Sequence, residues 1–268
     1  MEAALAKAGY EIAFLPLTDF ELPADDGPLR AAVRELVDGD VAWLLLTSPN
    51  AVRALARMGW DGHVAEGVRV GVTGPGTARV LAEIGGTVNP WKPDGEASAT
   101  GILDEFPRPA EEAGKAGKSG AAGAESGRVL LPQSALATDQ VAQGLTRLGW
   151  DVERIEAYRT VPYPAPESRR LLAEDAATAT ATTASASVSA GLGSVVSVHD
   201  VAGADVVLTS PSAVRELVRR RGTAAPALGT RWIALGRPTA QAAEDIGLEL
   251  AGVAVTPDAE GILAVLAD

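Results

Sequence analysis

Short apolar runs alternate with stretches of helical period along almost the whole chain. The runs at residues 11–15, 41–46, 68–73, 128–131, 152–157, 205–208, 231–235 and 249–253 have strand length. Between them, residues 49–58, 75–84, 135–148, 211–221 and 238–246 space their apolar side chains by three and four, which predicts amphipathic helices. Residues 2–8 predict a further short helix. Alternation of this kind predicts βαβ units, parallel sheets and an α/β fold class. Two helix starts are well marked. Ser48-Pro49 and Ser210-Pro211 each offer a capping hydroxyl followed by proline at the first helical position.

The pattern is also written twice. "LLLTSPNAVRAL" from Leu44 returns as "VVLTSPSAVREL" from Val206, 162 positions later. "VTGPGTARVLAEIG" from Val72 returns at the same offset as "ALGRPTAQAAEDIG" from Ala234. A constant offset over two separate motifs indicates an internal duplication. "AGYEIAFLPL" from Ala8 resembles "LGWDVERIEAY" from Leu148 at an offset of 140, so about 22 extra residues precede the second TSP motif. The opening strand of the second copy, at 128–131, has no counterpart in the first. The repeat therefore leads us to expect about 15–25 residues ahead of Met1, holding an apolar strand and a Thr-Arg-like turn. Two segments carry no apolar period: the Gly/Ala/charge-rich 108–127 and the low-complexity 176–190. Both are expected to be flexible inserts without chemistry.

Composition narrows the chemistry. With 268 residues, 47% apolar and 22% charged, the chain has material for two cores. No run approaches the roughly 20 apolar residues of a membrane span, and no signal-peptide pattern opens the sequence, so a cytoplasmic location is expected. The absence of cysteine excludes disulfides, thiolate nucleophiles and zinc–sulfur sites. His63 and His199 are the only histidines and lie far apart, which argues against a metal site or a Ser-His-Asp triad. A net charge of −12 argues against a nucleic-acid partner.

The repeated motifs place Thr and Ser hydroxyls beside the unsatisfied N–H groups of a helix's first turn, where anions are attracted. Thr47, Ser48 and Asn50 stand at the first such start, and Thr209, Ser210 and Ser212 at its repeat. Gly74 and Thr77, and again Gly236 and Thr239, form the second, with Gly admitting close backbone approach. Simple helix capping explains the same residues equally well. The Gly-rich turn is not a P-loop, since no Gly-Lys-Ser/Thr follows, and "TGPGTA" is too short for a dinucleotide fingerprint.

These motifs, with "LLPQSALATDQVAQGL" at 130–145, "EAYRTVPY" at 156–163 and "PDAEGIL" at 257–263, resemble the uroporphyrinogen-III synthase family over nearly the whole chain. The resemblance implies two flavodoxin-like domains joined by a two-stranded connector. One would be discontinuous, residues 1–18 plus 167–268; the other would span 28–160, with connectors at 18–27 and 159–166. It implies a cyclising hydro-lyase that converts hydroxymethylbilane, a small-molecule linear tetrapyrrole with eight carboxylates, to uroporphyrinogen III. Ring D is inverted and water is lost. It further implies a monomer with no cofactor and no metal. Tyr158 matches the family's candidate acid, although a packing role at a hinge would also explain it. Pro238 stands where the family often has a second hydroxyl, which leaves Thr239 alone beside Arg237. Arg237 is either a partner for a carboxylate or a solvated charge. A non-catalytic two-lobed binding relative is the alternative, with a solute receptor a more distant one.

Overall fold

The computed structural model describes residues 1–87, 89–109, 127–172, 194–221 and 229–267. The segment expected to be flexible at 176–190, and nearly all of that at 108–127, lie outside the described residues. The chain divides into two compact units, residues 1–19 with 160–268 and residues 20–159.

In the 20–159 unit, helix α2 (Gly27–Asp38) precedes strand β3 (Trp43–Leu46), helix α3 (Pro49–Arg57), strand β4 (Arg69–Val72) and helix α4 (Pro75–Glu83). Helix α5 (Ala99–Glu105), strand β5 (Arg128–Ser134), helix α6 (Gln140–Arg147) and strand β6 (Asp151–Pro162) follow. With β2 (Thr18–Glu21) the sheet order is β2-β6-β5-β3-β4, and β6, β5, β3 and β4 are parallel. Trp91 adds a parallel bridge to Gly71 beyond β4. All four residues of β3 are buried, as befits a strand covered on both faces. Trp43, Trp91, Phe106 and Trp150 pack edge-on or tilted at one side of this sheet, with centroid spacings from 4.9 to 6.2 Å.

The other unit begins with α1 (Glu2–Lys7) and β1 (Ala13–Phe14), which pairs in parallel with β7 (Ser194–Val195). Strand β8 (Asp205–Leu208), helix α7 (Pro211–Arg221), β9 (Arg231–Leu235), helix α8 (Arg237–Asp245), β10 (Gly252–Ala254) and helix α9 (Ala259–Leu266) follow. Their parallel sheet has the order β10-β9-β8. Val214, Leu217, Trp232 and Ala243 lie in its core cluster. On α7, Arg220 bonds the buried Glu216 at 2.7 Å. It also donates to the carbonyls of Pro16, Leu17 and Tyr163, at 3.3, 3.1 and 2.6 Å.

The helix expected over 135–148 begins only at Gln140, because residues 135–139 form a turn out of β5. The strand expected at 249–253 is confined to Gly252–Ala254. Helices α2, α5 and α9 and strands β2 and β7 were not anticipated from the pattern.

Candidate active site

Strand β3 delivers Thr47 and Ser48 to the start of α3. Ser48 is extended (φ −154°, ψ 143°), and its hydroxyl accepts the Asn50 N–H at 3.0 Å. Pro49 supplies the first helical residue and needs no N–H partner there. The same Ser48 oxygen lies 3.0 Å from the hydroxyl of Tyr158, so one atom serves both the cap and the phenol.

Tyr158 reaches that position through an irregularity in the β5–β6 ladder. Gln133 pairs with Glu156, but the next residue, Ser134, pairs with Tyr158, so Ala157 is an extra residue on β6. A bulge of this kind re-aims the side chains beyond it. Consecutive Ala157 and Tyr158 are both buried, which strict alternation forbids. Ala135 N–H closes the turn onto the Tyr158 carbonyl at 2.9 Å, and Phe20 packs edge-on against the phenol ring at 5.8 Å.

The start of α4 is built differently. Gly74 is extended (φ −166°), so any residue could adopt its backbone; space is what selects glycine, since a Cβ there would lie 3.1 Å from that of Ala97. No side chain caps this helix. Its first turn therefore keeps N–H donors unsatisfied. Thr77 is buried in that turn. Thr73, which leads into Gly74, and Gln133, at the end of β5, each bury a side-chain oxygen that makes no hydrogen bond among the described residues. Such orphaned groups are uncommon in folded proteins.

Arg53 is the basic residue that the motif reading passed over. One turn along α3, its guanidinium donates to the Asn50 side-chain oxygen at 2.9 Å. It is partly buried and makes no ion pair among the described residues. Desolvation holds its pKa below the usual guanidinium value, opposed by the charge of Glu83 and helped by that of Arg79. The signal that could have found it is the repeat itself, which carries arginine at both 53 and 215.

In the other unit the two motifs divide in the same way. Ser210 accepts the Ala213 N–H at 3.1 Å and is a cap, with Thr209 and Ser212 half-buried beside it. Gly236 has φ +84°, a conformation that favours glycine, and α8 starts with no side-chain cap. Buried Thr239 donates its hydroxyl proton to the Leu235 carbonyl at 3.2 Å, so that proton is committed within the chain. Arg237 is exposed at the first helical position and makes no ion pair among the described residues. Ser48, Asn50 and Tyr158 thus come together in one unit, with Gly74 and Thr77 at the end of the adjoining strand; Thr209, Ser210, Ser212, Gly236, Arg237 and Thr239 belong to the other unit. Among the described residues no group of three or more His, Cys, Asp or Glu could hold a metal ion, and no helix is long and apolar enough to cross a membrane.

Comparison with known proteins gives the fold and the family. A chloroplastic uroporphyrinogen-III synthase of Oryza sativa subsp. japonica is 31% identical over 163 residues, 59% of this chain and 48% of that protein. The match thus spans about half of that relative's length. A crystal structure of a mutant uroporphyrinogen III synthase from Thermus thermophilus aligns with a TM-score of 0.52 at 17% identity, covering 99% of this chain and 93% of its own. The uroporphyrinogen-III synthetase of Helicobacter pylori aligns with a TM-score of 0.54 at 14% identity, covering 94% and 90%. These two likenesses establish the fold. The family described as uroporphyrinogen-III synthase HemD matches residues 1–264, and the chain belongs to it.

Proposed function

We propose that this chain is a uroporphyrinogen-III synthase, closing hydroxymethylbilane to uroporphyrinogen III with inversion of ring D and loss of water. The observation that carries the reading is the Tyr158–Ser48 hydroxyl pair, beside the carboxyl ends of the parallel strands β3 and β5 in a chain of this family. Ligands of open α/β sheets gather at such strand ends. The N–H donors left uncapped at the starts of α4 and α8 suit carboxylates, of which the substrate has eight. Arg53 and Arg237 add positive charge at the two motifs.

In this mechanism the phenol of Tyr158 donates its proton to the departing hydroxyl. The carbon–oxygen bond breaks with its electron pair going to oxygen, water leaves, and the pyrrole nitrogen stabilises the azafulvene cation. Ser48 hydrogen-bonds the phenolate meanwhile. Attack by the substituted carbon of ring D gives the spiro intermediate. The bond from that carbon to the ring C bridge then breaks, leaving a second azafulvene cation at the bridge; the free α-carbon of ring D attacks it, and the proton lost from that carbon returns to Tyr158. Because phenol is a weak acid at neutral pH, orientation of the bilane supplies much of the rate and the isomer choice. The protein acts as a cytoplasmic monomer on this reading, without a cofactor.

The test is to supply the purified chain with enzymatically generated hydroxymethylbilane and separate the isomers. Type III product is expected. Type I alone, the outcome of spontaneous closure, would overturn the reading; tight binding of the bilane with type I product would identify a non-catalytic binding protein.

A further inference from the structure

Three neighbouring strands of the 20–159 unit end in a polar row. Register pairs Trp43 with Arg69 and Leu45 with Gly71 across β3 and β4, so the next step sets Thr47 beside Thr73. The Thr73 N–H bonds the Leu46 carbonyl there at 3.2 Å. On the other side of β3, Trp43 pairs with Val129, and stepping by two along both strands sets Thr47 beside Gln133. Trp43, Leu45, Val129 and Leu131 share one core cluster, and a Cβ on Gly71 would touch Trp43 and Trp91. Thr73, Thr47 and Gln133 therefore continue that same face of the sheet, one step beyond the aromatic core.

The fold does not call for polar side chains at the two ends of this row. At the offset of 162, Thr47 returns as Thr209 but Thr73 returns as Leu235. The second copy of the motif thus leads its strand into an uncapped helix from an apolar residue. Gln133 is 5% exposed. Its Oε1 atom and the Oγ1 of Thr73 are both buried and make no hydrogen bond among the described residues. An oxygen desolvated in this way raises the energy of the ligand-free protein, and a ligand that bonds it recovers that cost.

We propose that this row holds one pyrrole of the linear tetrapyrrole, a role that rests on the synthase reading above. Gln133 Oε1 accepts the pyrrole N–H. Thr73 donates its hydroxyl proton to an acidic chain of the same ring, beside the uncapped start of α4. Donor and acceptor chemistry sets these roles. A carboxamide oxygen only accepts, as do the substrate's carboxylates; since the substrate's hydroxyl departs, the lasting partner for Gln133 is a pyrrole N–H. A threonine hydroxyl also donates, and the free N–H groups of the helix start draw a carboxylate to its side. Two inter-strand spacings, roughly 10 Å, separate β5 from β4. A pyrrole carries its N–H and its acidic chains on opposite edges, so it lies across β3 with its N–H towards β5. Gln133 reaches it by a change of rotamer, with its backbone fixed in the ladder. The row thereby sets which way one ring faces, and ring orientation is what separates the two modes of closure.

The test compares Gln133→Met, Gln133→Glu and Thr73→Val with the parent. Formation of type III isomer from enzymatically generated hydroxymethylbilane and thermal unfolding are both measured. Gln133→Met and Thr73→Val should each raise KM about three- to tenfold, with kcat changed less. Their Tm should stay level or rise, because each change removes an unpaired buried oxygen. Gln133→Glu keeps an accepting oxygen, so its KM should lie nearer the parent's than that of Gln133→Met. Unaltered KM in the two apolar variants, or a fall in Tm in either, would overturn the proposal by showing a structural role. A KM for Gln133→Glu above that of Gln133→Met would also overturn it, since the amide would then be donating to a carboxylate. A parent that yields only type I product overturns the synthase reading and this proposal together; a parent that yields type III beside unaltered variants overturns this proposal alone.

Discussion

The hydroxyls of Tyr158 and Ser48 lie 3.0 Å apart although 110 residues separate them in sequence. Ser48 is fixed in turn by the Asn50 N–H, so the phenol is aimed by a helix cap rather than by a charged neighbour. Tyr158→Phe removes one hydroxyl and leaves the ring packed on Phe20. Type III formation should fall by about 10²-fold or less, with thermal stability little changed. An unaltered isomer ratio and rate would reduce Tyr158 to a packing residue.

Ser48→Ala removes both the cap and the phenol's partner. The cap alone is worth about 1 kcal/mol of stability, measurable by urea unfolding. Since the two hydroxyls act as a pair, the double variant with Tyr158→Phe should lose less activity than the two single losses combined. Independent, multiplying losses would show that the contact has no part in turnover.

Arg53 places charge where burial disfavours it. Arg53→Met should therefore leave the substrate-free protein as stable or more stable, by about 1 kcal/mol or less. The same change should raise KM for the bilane several-fold while altering kcat less. A variant with normal KM would remove Arg53 from the binding surface.

Glu216 reports on acid stability. Its hydrogen bond from Arg219, then that from Arg220, holds the carboxyl below its ordinary value of 4.5, against the opposing effect of burial. A depressed folded pKa gives stability that is fully present above the unfolded value and is lost as pH falls through the folded one. Glu216→Gln should cost about 1–3 kcal/mol at pH 7. The difference between variant and parent should shrink progressively as the pH is lowered from about 5 towards 2. A gap independent of pH would show that packing, not charge, is what Glu216 contributes.

The strand–turn–helix units around Ser48 and Ser210 were legible because period, cap and proline agree at each of them. Helices α5 and α9 were not, because each carries glycine in its first turn, which reads as a break. The reason lies in space. A Cβ at Gly101 would lie 1.9 Å from the Glu96 carbonyl, and one at Gly261 would lie 2.3 Å from that of Thr256. The ladder irregularity that turns Tyr158 inward was also hidden, since a bulge depends on register between strands and neither strand spells it locally. Tyr158 was named through the family resemblance, whereas Arg53, although repeated at Arg215, was passed over because arginine on a helix face reads as a solvated charge.

The three carbonyls held by Arg220 come from the two places where the chain passes from one compact unit to the other, near residues 16–17 and 163. One guanidinium at the last turn of α7 therefore ties two crossings, far apart in sequence, to a single helix end. The crossings are also joined to each other, through the pairing of β2 with β6 and the Tyr163 N–H on the Leu17 carbonyl. Fraying of that turn therefore frees the helix end from both crossings at once without separating one crossing from the other.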